Sequence, residues 1–536
     1  MLPANAGGSA LPRLALLVLA SLIAVGLAGT VTAADPRNLS LAATYLEQVR
    51  DDPAQLYAFF HAMPKGGDLH AHLSGTVATE DLIAIGAGHG VWVDPATGVA
   101  SANRTSPAQV PVADALANQT LYASLVRAWS MAGYDPAAGP GTDRFFGVFG
   151  RIGAVSQFTP DLIRAVRNET AGTGCDYIEL QWKDKKYQGR VSALAAGLNA
   201  NATDLAGLHR ALIAAGLNGT VDAIVADTEE IMTAAGGADN GNLSVRLIWE
   251  ANRNVAPADT FAQLAVGFEV ARRSPYVVGV NLVSPEGDYA SREYYSLHMA
   301  MLSYLHALYP DVPIALHAGE YAPGLVPYPD LRYHVRSAVA DGHASRIGHG
   351  TDILYEDDPY GTMARMRDER VPVELLLTSN AQTLGVEGLR HPAPVYLAAG
   401  VPIVLSTDDG GIERTDLAQE YTRLAAEYPS FDYRALRTIA RNSLEFSFLD
   451  GESLYLDGDY ERINPALRGE TPGGAVGSAA ARAFLAGNPR AAAEWRLEGE
   501  LDRFEAEIAA RSHALDITTP SDPFGSLVAF FAHALG

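Results

Sequence analysis

Four short stretches each end an apolar run with residues that bind or work beside a divalent cation: DLHAH (68–72), IALHAGE (314–320), RIGHGTD (346–352) and VLSTDD (404–409). Successive side chains of a strand alternate faces, so His70 and His72 project the same way and can clasp one ion. His317 and Asp408 offer the same ligand chemistry, a neutral imidazole and a carboxylate, at the ends of two further β-rich runs. A catalytic zinc keeps about three or four protein ligands and one open position, where it lowers the pKa of water toward neutrality. His70, His72, His317 and Asp408 provide that set, one Zn2+ per chain. Glu320, just past His317, can present a proton donor, and His349 can orient or deprotonate a metal-bound water. Asp409 can accept a hydrogen bond from a substrate N–H or orient a histidine. A lone His beside an apolar run is ordinarily a packed or surface residue. Strand ends that together carry ligand and acid/base types point instead to metal-assisted hydrolysis.

Such residues converge only if strands deliver them. Eight runs read as strands, at 67–70, 175–182, 243–249, 276–282, 313–317, 345–348, 373–377 and 402–406. Most are continuously apolar, as expected of parallel strands covered by helices. Helix-like stretches at 161–168, 205–215, 260–273, 291–309 and 328–341 alternate with them. The predicted fold is α/β, a closed (β/α)8 TIM barrel. Helical additions are expected at both ends: a lead-in over 38–63 before the barrel, and segments 442–449 and 489–511 after it. An insertion of about 77–151, after strand 1, carries Trp92, Trp129, Tyr134 and Phe145 and is read as either a cover for the barrel mouth or an inert excursion. The expected organisation is an export signal at 1–34, the barrel at 35–450 and a helical extension packed on it at 451–536.

With 536 residues and 48% hydrophobic side chains there is ample material for a core. A net charge of −23 argues against a nucleic-acid surface, because phosphate backbones repel such a chain unless a basic patch is set apart. The densest basic spot, KDKK at 183–186, reads as a solvated loop after a strand. Arg13, the apolar stretch 14–28 and the small residues before Asp35 read as an export signal cleaved after Ala33 or Ala34, so the expected location is secreted or periplasmic with no membrane attachment after cleavage. Cys175, the single cysteine, cannot form an internal disulfide and is expected to be buried.

In chain order MPKGGDLHAHLSGT, HAGE, RIGHGTD, LTSN and STDD closely resemble the adenosine deaminase family of the amidohydrolase barrels, over roughly 63–448. MPKGG and NSLEFSFL are most similar to its secreted, growth-factor-related branch. The resemblance implies that His70, His72, His317 and Asp408 bind zinc, that Glu320 protonates purine N1, that His349 assists zinc hydroxide attacking C6, and that Asp409 holds N7. It implies a purine nucleoside as the small-molecule partner, adenosine or 2'-deoxyadenosine giving inosine or 2'-deoxyinosine and ammonia; whether the chain forms a homodimer stays open. This chain departs from the family pattern at Ser74, where the shorter branch has a ribose-binding aspartate, at Ser284, where a Gly is usual beside N3, and at 410–412, where GGI replaces a proline. An adenine or other aminopurine deaminase and a catalytically dead extracellular binding module are the rival expectations. A cytidine-deaminase type of zinc site needs paired cysteines, which this chain lacks.

Overall fold

Each apolar run becomes a strand in the computed structural model, which describes residues 36–514 apart from 136–138 and 242. The expected export signal lies outside the described residues. The barrel strands are β1 (Gly66–His72), β2 (Cys175–Trp182), β3 (Ser244–Asn252), β4 (Val277–Val283), β5 (Ala315–Ala318), β6 (Arg346–His349), β7 (Val373–Leu375) and β8 (Ile403–Leu405). All pair in parallel, as two four-stranded sheets in the orders β1-β2-β3-β4 and β5-β6-β7-β8. Two bridges close the ring: Val280 with Ile314 joins β4 to β5, and Ala71 with Asp408 joins β8 to β1. At the second closure His72 N–H donates to Asp408 O (3.0 Å) and Asp408 N–H to His70 O (2.8 Å). The chain's first and last barrel strands therefore hold the ligand-bearing ends in register by backbone bonds.

Polar residues also occupy the barrel interior. Arg346, 0% exposed, donates to Glu179 Oε2 and Glu374 Oε1, both at 2.5 Å, and lies 3.7 Å from the centre of the Phe448 ring. A buried guanidinium is tolerated because two carboxylates and an aromatic face replace its water. Glu374 spends its other oxygen on His70, so the interior ion pair continues into the candidate site.

Both ends of the chain pack on the barrel. The expected single lead-in helix is two, Pro36–Val49 and Pro53–Ala62. Pro53 cannot donate inside a helix but suits a first turn, and the Asp52 carboxylate caps that turn by accepting from Ala54 and Gln55 N–H. Phe59 of the second helix meets Tyr433 (5.9 Å) and Phe504 (5.1 Å) edge-on, tying it to the terminal helix Pro489–Ala514. Helix Tyr433–Glu445, capped by Asp432, ends before the stretch 446–449 that the sequence suggested as helical. The extension is not wholly helical: Tyr455–Leu456 and Asp459–Ile463 form an antiparallel hairpin.

The insertion folds over the strand ends. It contains helices Thr79–Gly88, Gln119–Ala128 and Thr142–Ile152 and a small three-stranded sheet. Met131 N–H donates to Ile412 O (2.7 Å), Gly141 N–H to Gln382 O (2.8 Å) and Thr142 Oγ1 to Thr383 O (2.7 Å). These bonds anchor it on the loops after β7 and β8. Phe145, Phe146 and Phe149 then face the barrel mouth as one wall of the cavity there. The insertion thus contributes lining to the cavity at the barrel mouth.

Candidate metal and acid–base site

His70 and His72 from β1, His317 from β5 and Asp408 after β8 come together at the C-terminal end of the barrel. His317 Nε2 lies 3.1 Å from His70 Nε2 and 3.2 Å from His72 Nε2. Asp408 Oδ1 lies 3.7 and 3.4 Å from the same two nitrogens. Ligands about 2.0–2.1 Å from a tetrahedral metal stand roughly 3.3 Å from each other, the scale of this cage.

The far ring nitrogens explain why the near ones can serve. His70 donates Nδ1–H to Glu374 Oε2 (2.6 Å), His72 to Glu250 Oε1 (2.8 Å) and His317 to Asn281 Oδ1 (3.1 Å). Carboxylate and amide oxygens only accept, so in the neutral rings each Nε2 carries an inward lone pair. Lone pairs at about 3 Å repel unless a positive charge sits among them. Charge around His72 says the same: burial works against its protonation, yet Asp409, Glu250 and Asp408 hold it up to about 10. Burial and the neighbouring imidazoles push His317 well down. The donor set and its surroundings fit a divalent cation.

Three side chains beside the cage differ from ligands in their protonation. The Glu320 carboxyl is pushed up to about 8 by burial and by the Asp408 charge, so it holds a proton at neutral pH. Its backbone N–H donates to Glu286 Oε2 (2.8 Å), which fixes the turn after β5. Asp409 is held well above its ordinary range by burial, and its Oδ1 has no partner among the described residues. That shift favours the protonated form, which could donate to a ring nitrogen such as the N7 that the resemblance assigns to Asp409. Its carboxyl sits over Gly75, where an added Cβ would fall 1.6 Å from Oδ1; any side chain there displaces Asp409. Burial lowers His349 to about 3 and so keeps it neutral, and its Nε2 stands 3.9 Å from both Glu320 Oε2 and Asp408 Oδ2.

Which nitrogen of His349 carries its proton follows from a chain of hydrogen bonds. Ala393 N–H, a donor that cannot reverse, points at His391 Nδ1 (3.2 Å). The proton of His391 therefore sits on Nε2, which donates to Asn380 Oδ1 (3.1 Å). Asn380 then presents its NH2 to His349 Nδ1 (2.9 Å), leaving the His349 proton on Nε2, toward the cage. Of the two roles expected for His349, the geometry fits orienting by donation rather than taking a proton at Nε2. Asn380→Asp, isosteric but able only to accept, should move that proton to Nδ1. The expected result is a fall in kcat on the order of 10²–10⁴-fold, the scale of a wrong-tautomer imidazole, with metal content unchanged. Parent-like kcat with full metal occupancy would remove this role from Asn380.

Backbone strain collects here. Asp408 (φ 62°), His349 (φ 70°) and Ser284 (φ 85°) are non-glycine residues in the left-handed region, each just at or after a strand end. Arg253 braces one of these ends and ties it to β5, donating to Ser284 O (2.8 Å) and His317 O (3.1 Å). Ser284 and Ser74 both line the cavity, which measures about 280 Å³. KDKK is the expected loop after a strand, with Lys185 and Lys186 exposed; Lys183 and Lys185 also line the cavity, and Lys186 turns to Asp227. Glu413 was also illegible: both its oxygens are buried without hydrogen-bond partners among the described residues, one of them within 4.8 Å of an oxygen of Asp408 and of Asp409, and burial together with those carboxylates holds it well above its ordinary range. Nothing in GGIE signals that; only the short turn Gly410–Glu413 places it there.

Parallel strands closed on themselves with such a cage at their C-terminal ends define an amidohydrolase-type barrel. The adenosine deaminase family profile matches residues 152–454, more than half of the sequence. The chain belongs to the adenosine deaminase family. That stretch leaves out β1, so His70 and His72 rest on the geometry above. Among curated relatives, an aminodeoxyfutalosine deaminase of Streptomyces coelicolor is 40% identical over 117 residues, 22% of this chain and 29% of that protein. An adenosine deaminase of Mycobacterium sp. (strain KMS) is 28% identical over 243 residues, 44% of this chain and 62% of the relative. The chain thus matches from under a third to somewhat under two thirds of these relatives' lengths. Among solved structures, the arabidopsis N6-mAMP deaminase MAPDA aligns with TM-score 0.47 and 19% identity over 73% of this chain and 96% of that one.

Proposed function

We propose that this protein is a zinc-dependent, exported deaminase of 6-aminopurine nucleosides, with adenosine and 2'-deoxyadenosine the simplest substrates. The observation that carries the reading is a buried Glu320 carboxyl, held above its ordinary range, beside an imidazole and carboxylate cage, both opening into one cavity. Zinc held by His70, His72, His317 and Asp408 would supply Lewis acidity and lower the pKa of a water in the cavity. The chain's own residues do the rest. Glu320 gives its proton to N1, which draws electron density from C6 as water adds there. His349, through Nε2–H, orients the incoming oxygen, and neutral Asp409 donates to N7. Of the two protons the added water gives up as the C6 oxo group forms, one returns to the Glu320 carboxylate and the other passes to the amino nitrogen, so that the C6–N bond breaks, ammonia leaves, and the product is the 6-oxo nucleoside. Export rests on the signal read at 1–34.

The test is ammonia release by the zinc-loaded protein from adenosine, 2'-deoxyadenosine, adenine and AMP. Turnover of the nucleosides above adenine is expected. Ammonia from adenine alone would transfer the reading to a base deaminase, and none from any of the four would point to a binding module.

A further inference from the structure

The purine-handling residues Glu320, His349 and Asp409 stand at the ends of β5, β6 and β8. Across the barrel mouth from β6 lies β2, and its end is built differently. Gln181 and Trp182, 1% and 4% exposed, line the cavity and bury the donors Nε2 and Nε1 with no partner among the described residues. Lys183 follows, its Nζ 3.8 Å from Glu250 Oε2, a carboxylate whose other oxygen is committed to His72. Lys185 reaches Ser156 O (3.0 Å) and Oγ (2.6 Å), neutral partners only, at the rim under Phe145 and Phe149. Into the cavity this stretch presents two ammonium groups and two orphaned N–H donors against the shared Glu250 carboxylate, because Asp184, between the lysines, lies outside the lining and accepts from Lys186 N–H, in a chain of net charge −23. Loss of water around the ammonium and the neighbouring Lys183 draw Lys185 down to about 8 against the opposing pull of Glu250, although much of the Lys185 side chain remains exposed.

We infer that the β2 end, with Lys185 and Lys183, is a subsite for an anionic, oxygen-rich group on the sugar side of the substrate, so that the preferred substrate is a 6-aminopurine nucleoside carrying a phosphate or carboxylate at its 5' end. This rests on the deaminase reading and narrows it. Lysine binds either group as a point charge, so the two sources share one chemistry.

The experiment compares kcat/KM for adenosine, AMP and adenosine-5'-carboxylic acid in the zinc-loaded full chain and in Lys185→Met, at low and high salt. At least one anion should exceed adenosine by about tenfold or more, with a preference that shrinks in salt and falls about tenfold in Lys185→Met; whichever anion leads identifies the group. Adenosine equal to or better than both anions, or a preference untouched by Lys185→Met, overturns the inference while leaving the deaminase reading intact. If no compound releases ammonia, the deaminase reading fails, and calorimetry with IMP against inosine still decides the subsite. Tighter, Lys185-dependent binding of IMP upholds it, and equal binding refutes it.

Discussion

Glu320→Gln should lower kcat by on the order of 10²–10⁴-fold, the usual worth of a positioned general acid, while the bound metal stays in place. The amide keeps the size of the carboxyl but has no proton to give to a ring nitrogen. Glu320 is not a member of the cage, so ligand distances need not change. The pH dependence has a definite sign. Glu320 works in its protonated form, and its carboxyl is held up to about 8, so the rate is sustained below that pH and declines above it as the proton is lost. A cation in the cage favours the carboxylate and draws the break to lower pH. In the variant that alkaline limb should be missing from whatever activity remains. Parent-like turnover by metal-loaded Glu320→Gln would mean that another group protonates the substrate.

His317→Ala should release the metal itself. His317 Nε2 lies 3.1 Å from that of His70 and 3.2 Å from that of His72, so its removal takes a near neighbour from both remaining imidazoles. Loss of a partner behind a ligand typically costs 10–100-fold in metal affinity, and loss of the ligand itself should exceed that. Elemental analysis after dialysis is expected to fall from about one metal per chain in the parent to a small fraction, with turnover lost in proportion. Circular dichroism should be preserved, because β5 is held on both sides by backbone pairing that does not involve the ring. Full metal content in His317→Ala would exclude it as a ligand.

The barrel was legible because its strands are short, buried on both faces and therefore continuously apolar; all eight stand within a few residues of their expected places. The cage was legible for a related reason. Its members sit at strand ends, where a period of two fixes their direction, as with His70 and His72. What the sequence hid depends on distance across the fold. Glu250, Glu374 and Asn281 look like ordinary interior polar residues until barrel closure sets them behind the imidazoles. Asn380 and His391 act through a hydrogen-bond chain whose direction is decided by one backbone N–H. Nothing local to Lys183 and Lys185 reveals that they share the lining of one cavity with Phe145, Phe146 and Phe149 of helix Thr142–Ile152. The split at Asp52-Pro53 was available from capping chemistry alone, and apolar spacing outweighed it.

Anomalous diffraction at the zinc absorption edge from crystals of the zinc-loaded chain tests the central claim most directly. The prediction is one strong peak per chain, about 2.0–2.2 Å from Nε2 of His70, His72 and His317 and from an Asp408 oxygen. A peak elsewhere, or none between these four side chains in a protein that still deaminates purines, would contradict it.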